Sequence, residues 1–516
     1  MSSLDLMSHI MTTSVVKTKA EHRKDGTYIH GNSIESFYDD SVILITGGTG
    51  FLGKALVEKL LRSCSSLAAI FLLIRPKKDQ TVDQRLKHLL QNPIFEKLRT
   101  ENPAAFKKLR PVKGDVTLPD LGLSPEDRET LTQKVTIVFH SAATVRFDEP
   151  LKVAINMNTK GTDRVLELCK SIKNLVSLVH VSTAYSNANR NEISESVYFS
   201  EVKPSTMIDM CDNLDNDTIN VIEKKILEKH PNTYTFTKSL TEQLIVLKAS
   251  DLPVAIVRPS IVAASQKDPY PGWVDNSAGL TGFMKEILKG IYRIVMCDKK
   301  MYLDVVPVDY VIDTLICVAW HSTMQRSSSV PIYNCTCKDP PRWGHFWNLT
   351  LKYAVETPST HLAWYPGVTN VKYRSVYEFF KFIVYYCPAF LMDSVLRLVG
   401  QKPWVYKYVT HVNRIVQTGA FFGLNQWKFH RDNMDDLTKK LKALKDYDNF
   451  NVDLRDYDMD IFVRNYVSGI KKFIMQEKPS TDTNMQRRML ILYFLHRFIQ
   501  VSGIIVLVVL IKRFSH

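Results

Sequence analysis

A chain of 516 residues, 45% apolar and 23% charged, has ordinary globular composition and room for two or three domains with a sizeable core. Its 67 Lys and Arg against 53 Asp and Glu leave a charge of +14, which suits a polyanionic ligand or an anionic membrane surface. Nucleic acid is not expected as a partner, because there is no zinc-finger spacing, no basic helix with heptads and no basic strand interleaved with aromatics. The eight cysteines are scattered without CxxC pairs, which fits free thiols in a reducing compartment and predicts no metal site. Cys335 and Cys337 alternate on a strand and read as a small-residue core face.

Residues 1–37 read as an N-terminal extension without the pattern of a signal peptide. Val42 to Ile45 form a short buried strand that runs into Gly47, Gly50 and Gly53, and Lys54 to Leu61 then take up helical spacing. A strand, a tight glycine turn and a helix N-terminus make a dinucleotide site: Gly47 permits the turn, Gly50 admits the pyrophosphate and Gly53 lets the helix pack. Thr46, Thr49, Phe51 and Leu52 share that turn and join the cofactor-binding candidates. A second strand, Leu67 to Ile74, ends at Arg75-Pro-Lys-Lys78, where an acidic residue would hold a ribose 2′-hydroxyl. Arg75 there favours a 2′-phosphate, and hence NADPH.

Residues 79–110 read as amphipathic helices rich in Lys and Arg. The strand that follows ends at Asp115 and Val116, where such folds cradle adenine. Val135 to Phe139 opens into His140-Ser-Ala-Ala-Thr144, whose Ala142 and Ala143 let a cofactor lie close to backbone. Leu175 to Val181 delivers Ser182-Thr-Ala-Tyr185 to the same edge. Strands alternating with helices predict an α/β fold with a doubly wound parallel sheet of Rossmann type.

At Tyr234-Thr-Phe-Thr-Lys238 a phenol and an ammonium share one helix face. A nearby ammonium would lower the phenol pKa from near 10 and make Tyr234 a proton donor to a carbonyl taking hydride. Ser182 or Thr183 would supply a second hydroxyl, the choice being open because neighbours at a strand end point opposite ways. This spacing alone is common on exposed helices; it gains meaning only downstream of the glycine turn and Arg75.

The motifs Thr46-Gly-Gly-Thr-Gly-Phe-Leu-Gly-Lys54, Leu73-Ile-Arg-Pro-Lys77, Phe139-His-Ser-Ala-Ala-Thr-Val-Arg-Phe147, His180-Val-Ser-Thr-Ala-Tyr185, Tyr234-Thr-Phe-Thr-Lys238, Ile256-Val-Arg-Pro-Ser-Ile-Val262 and Pro271-Gly-Trp-Val-Asp-Asn276 together resemble the fatty acyl-CoA reductases of the extended short-chain dehydrogenase/reductase superfamily. The likeness runs from about residue 38 to 475. It implies that Tyr234 and Lys238 are the catalytic pair, assisted by Ser182 or Thr183. It also implies that NADPH lies on Gly47, Gly50, Gly53 and Arg75, with Pro259 and Ile261 in the cofactor set. The implied reaction reduces a long-chain acyl-CoA through an aldehyde to the alcohol and releases CoA. Two other readings keep less of the resemblance: a membrane-bound dehydrogenase of a steroid or sugar nucleotide, and a non-catalytic NADP-binding scaffold.

The sheet domain is expected over 38–350 and a helical second domain over 351–475, its aromatic stripes serving either an acyl channel or an ordinary core. Lys372, Arg374 and Lys402 are candidates to meet CoA phosphates. A linker, 476–488, leads to a membrane segment at 489–511 that either spans or lies in the interface, His496 and Arg497 being costly at mid-depth. A single segment so near the last residue resembles a tail anchor, with the body facing the cytosol at the endoplasmic reticulum or peroxisome.

Overall fold

The computed structural model describes residues 33–77, 80–227, 229–324, 329–454, 457–478 and 483–514. The readings of residues 1–32 and of Lys78 lie outside them. Seven strands, β1 (Val42–Thr46), β2 (Ala69–Ile74), β3 (Leu109–Lys113), β4 (Ile137–His140), β5 (Ser177–Val181), β6 (Val254–Pro259) and β7 (Ile332–Cys335), form one sheet in the order 3-2-1-4-5-6-7. Every pair in it is parallel. Parallel strands covered on both faces read as nearly continuous apolar runs, and β5 and β6 are buried along their whole lengths, with Ser177, His180 and Arg258 as their polar exceptions.

Alternation within the strands packs both faces of the sheet. Ile43 and Ile45 meet Leu56 and Leu60 of α1 (Phe51–Ser63) and Leu315 of the helix Val308–Met324. Leu44, Val138 and Ile256 point the other way, onto Val165 of the helix Lys160–Ser171 and Ile245 of α2 (Thr233–Lys248). The strand order reverses between β1 and β4, whose ends are level because Thr46 pairs with His140. The loops after them therefore border one crevice, where open sheets of this kind bind ligands.

The sheet domain begins before residue 38. Helix Ile34–Phe37 buries Ile34 and Phe37, and the Tyr38 hydroxyl donates to the Ile316 carbonyl at 2.8 Å. Nor do the packed units divide at residue 350, since helix Trp343–Glu356 runs through that position. A second core joins residues from 263–305 to others from 343–470, tied by parallel pairing of Ile294–Met296 with Thr369–Val371. A cut in the sequence cannot anticipate this, because the early segment contributes to both cores.

In the carboxyl-terminal third, α3 (Arg374–Leu398) and α4 (Val405–Leu424) are joined as a hairpin, and α5 (Thr483–Phe514) follows. Among the described residues α3 is the one helix long and apolar enough to cross a membrane, with a mean hydropathy of 1.4. Tyr377, Tyr385 and Ala389 of α3 join the second core, whereas Phe379, Phe382, Phe390 and Leu391 face outward, so only part of the stripe forms the expected core. Helix α5 starts at Thr483, inside the expected linker. Its first turns pack on the protein: Met489 is buried, and Tyr493 and His496 lie 5.2 and 5.8 Å from Tyr365, ring centre to ring centre.

Candidate active site

The glycine turn is shaped by contact as well as by dihedral angle. Gly47 has φ 75°, and a Cβ on it would stand 2.7 Å from the Ala142 nitrogen. A Cβ on Gly53 would stand 2.2 Å from the Gly47 carbonyl oxygen, so α1 could not start where it does with any larger residue. Gly50 caps α1 and is exposed, leaving the first N–H groups of the helix open to an anion. Thr49 is half-buried on the same turn. Phe51 stacks on buried Trp273 with ring centres 5.1 Å apart, and Leu52 packs against the sheet core, so their side chains hold the turn in place. Lys54 pairs with Asp275, tying α1 to the Pro271–Asn276 motif.

Across the crevice, buried Thr46 contacts His140 Nδ1 at 2.7 Å and accepts the Ala142 N–H at 3.3 Å. Ser141 Oγ donates to the Thr46 carbonyl at 2.9 Å, which sets the backbone of Ala142 and Ala143 beside the glycines. At the far end Arg75 follows β2 with its side chain 58% exposed, 3.8 Å from the Asp115 carboxylate. Asp115 is itself held by the Thr117 N–H at 2.9 Å and hydroxyl at 2.8 Å. Val116 turns its side chain into the core against Gly161, so only its backbone can meet a ligand. The glycine cradle, the free helix end and the exposed Arg75 together fit a dinucleotide.

Helix α2 opens with Asn232, whose side chain accepts the Thr235 N–H at 2.9 Å. Tyr234, Lys238 and Glu242 then follow at four-residue spacing on one face. Burial pushes the Tyr234 phenol up to about 12, opposed by its hydrogen bond with Thr183. The helical spacing predicts instead a phenol lowered by the ammonium. That expectation is corrected because Lys238 Nζ donates to the Val181 carbonyl at 2.6 Å, and burial lowers its own pKa to about 8, with Glu242 opposing. The open choice between hydroxyls also acquires geometry: Thr183 lies against Tyr234, whereas Ser182 donates to Glu242 at 2.6 Å.

Glu242 and Arg258 are residues that sequence reasoning missed. Fully buried Arg258, on β6, meets both oxygens of Glu242, at 2.8 and 2.7 Å, and also donates to the Ser194 and Ser196 carbonyls. An arginine inside the apolar strand Val254–Pro259 was the available signal. Asn158, in the π-turn Ile155–Thr159, is another: it bonds the Thr144 backbone and the Thr237 hydroxyl, locking the loop after β4 to α2.

The remaining wall is apolar. Phe147 stacks on Tyr234 with ring centres 5.9 Å apart and meets Phe422, from the end of α4, at 5.4 Å. Tyr185 meets Phe422 at 5.1 Å and Trp427 at 5.2 Å. Ile261 packs against this cluster and against the second core, while the Pro259 carbonyl faces the Thr183 hydroxyl at 3.4 Å. Of the three cations expected at the mouth, Lys372 is paired with Asp298 at 3.1 Å, and Arg374 is exposed at the start of α3. Lys402 precedes α4, about 30 Å along that helix from Phe422, and so does not line the site. No cluster of metal ligands exists among the described residues.

Comparison with known proteins agrees with this construction. The family described as male sterility protein matches in two stretches, an NAD-binding one over residues 45–315 and a second over 384–477. The chain is similar to fatty acyl-CoA reductase 1 of Rattus norvegicus, 38% identical over 451 residues and 87% of each chain. It is also similar to the Homo sapiens protein of that name, 36% identical over 450 residues and 87% of each chain, and to Drosophila melanogaster fatty acyl-CoA reductase wat, 35% identical over 465 residues and 90% of each chain. In fold it is similar to the terminal R domain of the myxalamid PKS-NRPS pathway, with TM-score 0.59 and 20% identity over 86% of this chain and 93% of that one. The R domain of a Mycobacterium tuberculosis nonribosomal peptide synthetase gives 0.56 and 19% over 87% and 94%.

Glu242→Ala would leave Arg258 buried and unpaired. The expected loss of stability is about 3–5 kcal/mol, read as a lower urea midpoint with an unchanged slope. A midpoint equal to that of the unaltered protein would mean the pair supports nothing.

Proposed function

The chain belongs to the fatty acyl-CoA reductase family, and on that footing we propose that it reduces a long-chain acyl-CoA to the fatty alcohol with NADPH, releasing CoA and passing through the aldehyde. The observation that carries the reading is Tyr234: its hydroxyl is bonded to Thr183, Lys238 lies one turn on, and its ring lies against Phe147, which in turn meets Phe422. An apolar wall beside an acid suits a carbonyl at the head of an acyl chain.

A bound nicotinamide would supply hydride for each of two reductions. A phenol with pKa about 12 keeps its proton at neutral pH, so Tyr234 acts as an acid toward the carbonyl oxygen that becomes an alkoxide. Thr183 offers a second hydroxyl to the same oxygen. In the first reduction the thioester carbon gains hydride and its oxygen a proton; the carbon–sulfur bond then breaks, CoA leaves as the thiol and the aldehyde remains. In the second, the aldehyde carbonyl meets the same phenol. Lys238, protonated at neutral pH and held on the Val181 carbonyl, stands one helical turn from the phenolate left behind and can return a proton toward it. NADPH is preferred over NADH because Arg75, loosely paired with Asp115, is free to bind a 2′-phosphate. Attachment through α5 would hold the body on the cytosolic side of the endoplasmic reticulum or peroxisome, where acyl-CoA and NADPH meet.

Tyr234→Phe is expected to cut alcohol formation from acyl-CoA by about 10²–10⁴-fold with the fold intact. Near-normal turnover, with free CoA and alcohol both produced, would remove the acid. Arg75→Ala is expected to lower the preference for NADPH over NADH by roughly tenfold or more, measured as the ratio of kcat/KM values; an unchanged ratio would exclude Arg75 from cofactor choice. Because the ammonium form of Lys238 is the active one, kcat/KM should fall as pH rises through about 8. A profile flat through that range would take the lysine proton out of the mechanism.

A further inference from the structure

Helix α3 has the length and hydropathy of a membrane span, yet it is attached to the protein along one side and at both ends. Tyr377, Tyr385, Ala389 and Asp393 are buried against the second core. The Tyr385 hydroxyl accepts the N–H groups of Arg293 and Ile294, each at 2.8 Å. Just before α3, Thr369–Val371 is paired with Ile294–Met296. Beyond its other end, the Asp393 carboxylate accepts the N–H groups of Trp404 and Val405 at 3.0 Å and of Tyr406 at 2.9 Å, closing the hairpin onto α4. Pro388 would break a regular helix, but the π-turn Phe382–Tyr386 just before it lets α3 continue as one rod of about 37 Å. So fastened, the rod cannot thread a bilayer; it can only lie on one.

Its free side has the composition for that. Phe379, Phe382, Phe390, Leu391, Val395 and Leu398 are between 57% and 86% exposed, a continuous apolar strip of the kind that marks an interaction surface. Tyr373 and Trp404, 69% and 58% exposed, stand at its two ends, where rings with one wet edge sit at a lipid headgroup boundary. Residues 372–414 carry seven Lys and Arg against only Glu378 and Asp393. Arg374, Arg397, Lys402 and Lys407 are exposed among them, complementary to anionic headgroups. The strip is also continuous with α5. Arg293, whose N–H binds Tyr385, places its guanidinium 3.0 Å from His496, and α5 exposes Phe494 and Phe498.

We propose that α3 is a second membrane element that lies within the headgroup and upper acyl region of a bilayer containing anionic lipid, beside α5, with its phenylalanine side immersed. The basic rim, the terminal rings and the shared Arg293 favour lipid over a second copy of the chain as the occupant. The proposal does not need the acyl-CoA reading, because lipid contact is read without turnover.

The test uses the full chain in vesicles of phosphatidylcholine, with and without phosphatidylserine, doped with a phospholipid whose acyl chain carries a photoactivatable group. Adducts are mapped by mass spectrometry. The expected result is labelling of the outer side of α3 as well as α5, stronger with phosphatidylserine. In a chain carrying Phe379→Glu, Phe382→Glu and Leu391→Glu, all outward-facing, α3 adducts should fall by roughly tenfold or more while circular dichroism and α5 labelling persist. Labelling confined to α5 in the unaltered chain, undiminished α3 adducts in the triple variant, or chemical cross-links joining α3 of two copies in place of lipid adducts would each overturn the proposal.

Discussion

The buried pair of Glu242 and Arg258 is the contact on which the site geometry depends. A carboxylate and a guanidinium removed from water are tolerable only when each is fully bonded, and here both oxygens and three guanidinium nitrogens are satisfied. The consequence is a rigid fastening between α2 and β6, with Ser182 at the end of β5 drawn in by the same carboxylate. Lys238 and Tyr234 lie one and two turns up that helix, so their positions follow from the anchor below them. The ammonium is pinned in turn by the Val181 carbonyl. What presents a phenol and an ammonium to the crevice is thus a column of polar contacts driven into the sheet.

The crevice itself rests on steric exclusion. Without side chains at Gly47 and Gly53, the turn after β1, the loop after β4 and the first turn of α1 come within contact distance of one another. Phe51 over Trp273 and the Lys54–Asp275 pair brace this turn. The cofactor cradle and the apolar wall are therefore parts of one packed body, although residues more than two hundred positions apart build them.

Much of this was legible in the sequence. A buried strand, three glycines and a helix have few ways to fold, and a Tyr and a Lys four residues apart on a helix must share a face. The doubly wound sheet followed from strands alternating with helices. Other features depend on distant partners that spacing cannot supply. Ser182 and Thr183 could not be told apart until Glu242 claimed one of them. The phenol was expected to be lowered because the lysine was near, but its ammonium is turned to a backbone carbonyl and burial dominates. The stripes of α3 fit a channel, a core or an exposed face equally well as a pattern; only their surroundings decide. Residues 263–305 gave no sign of belonging to a second core, since their partners come after residue 343.

The aromatic end of α4 has a standing unlike that of the rest of the site. Phe422 touches Phe147 and Tyr185, Trp427 touches Tyr185, and Phe421 packs on both Phe422 and Trp427, but none of the three shares a hydrogen bond with Tyr234, Lys238 or Glu242. They belong to a hairpin whose register is set elsewhere, by Asp393 at its turn. Size and shape at this wall are accordingly modular: bulk can change at Phe421, Phe422 or Trp427 without removing a hydrogen bond from the polar column of Ser182, Lys238 and Glu242.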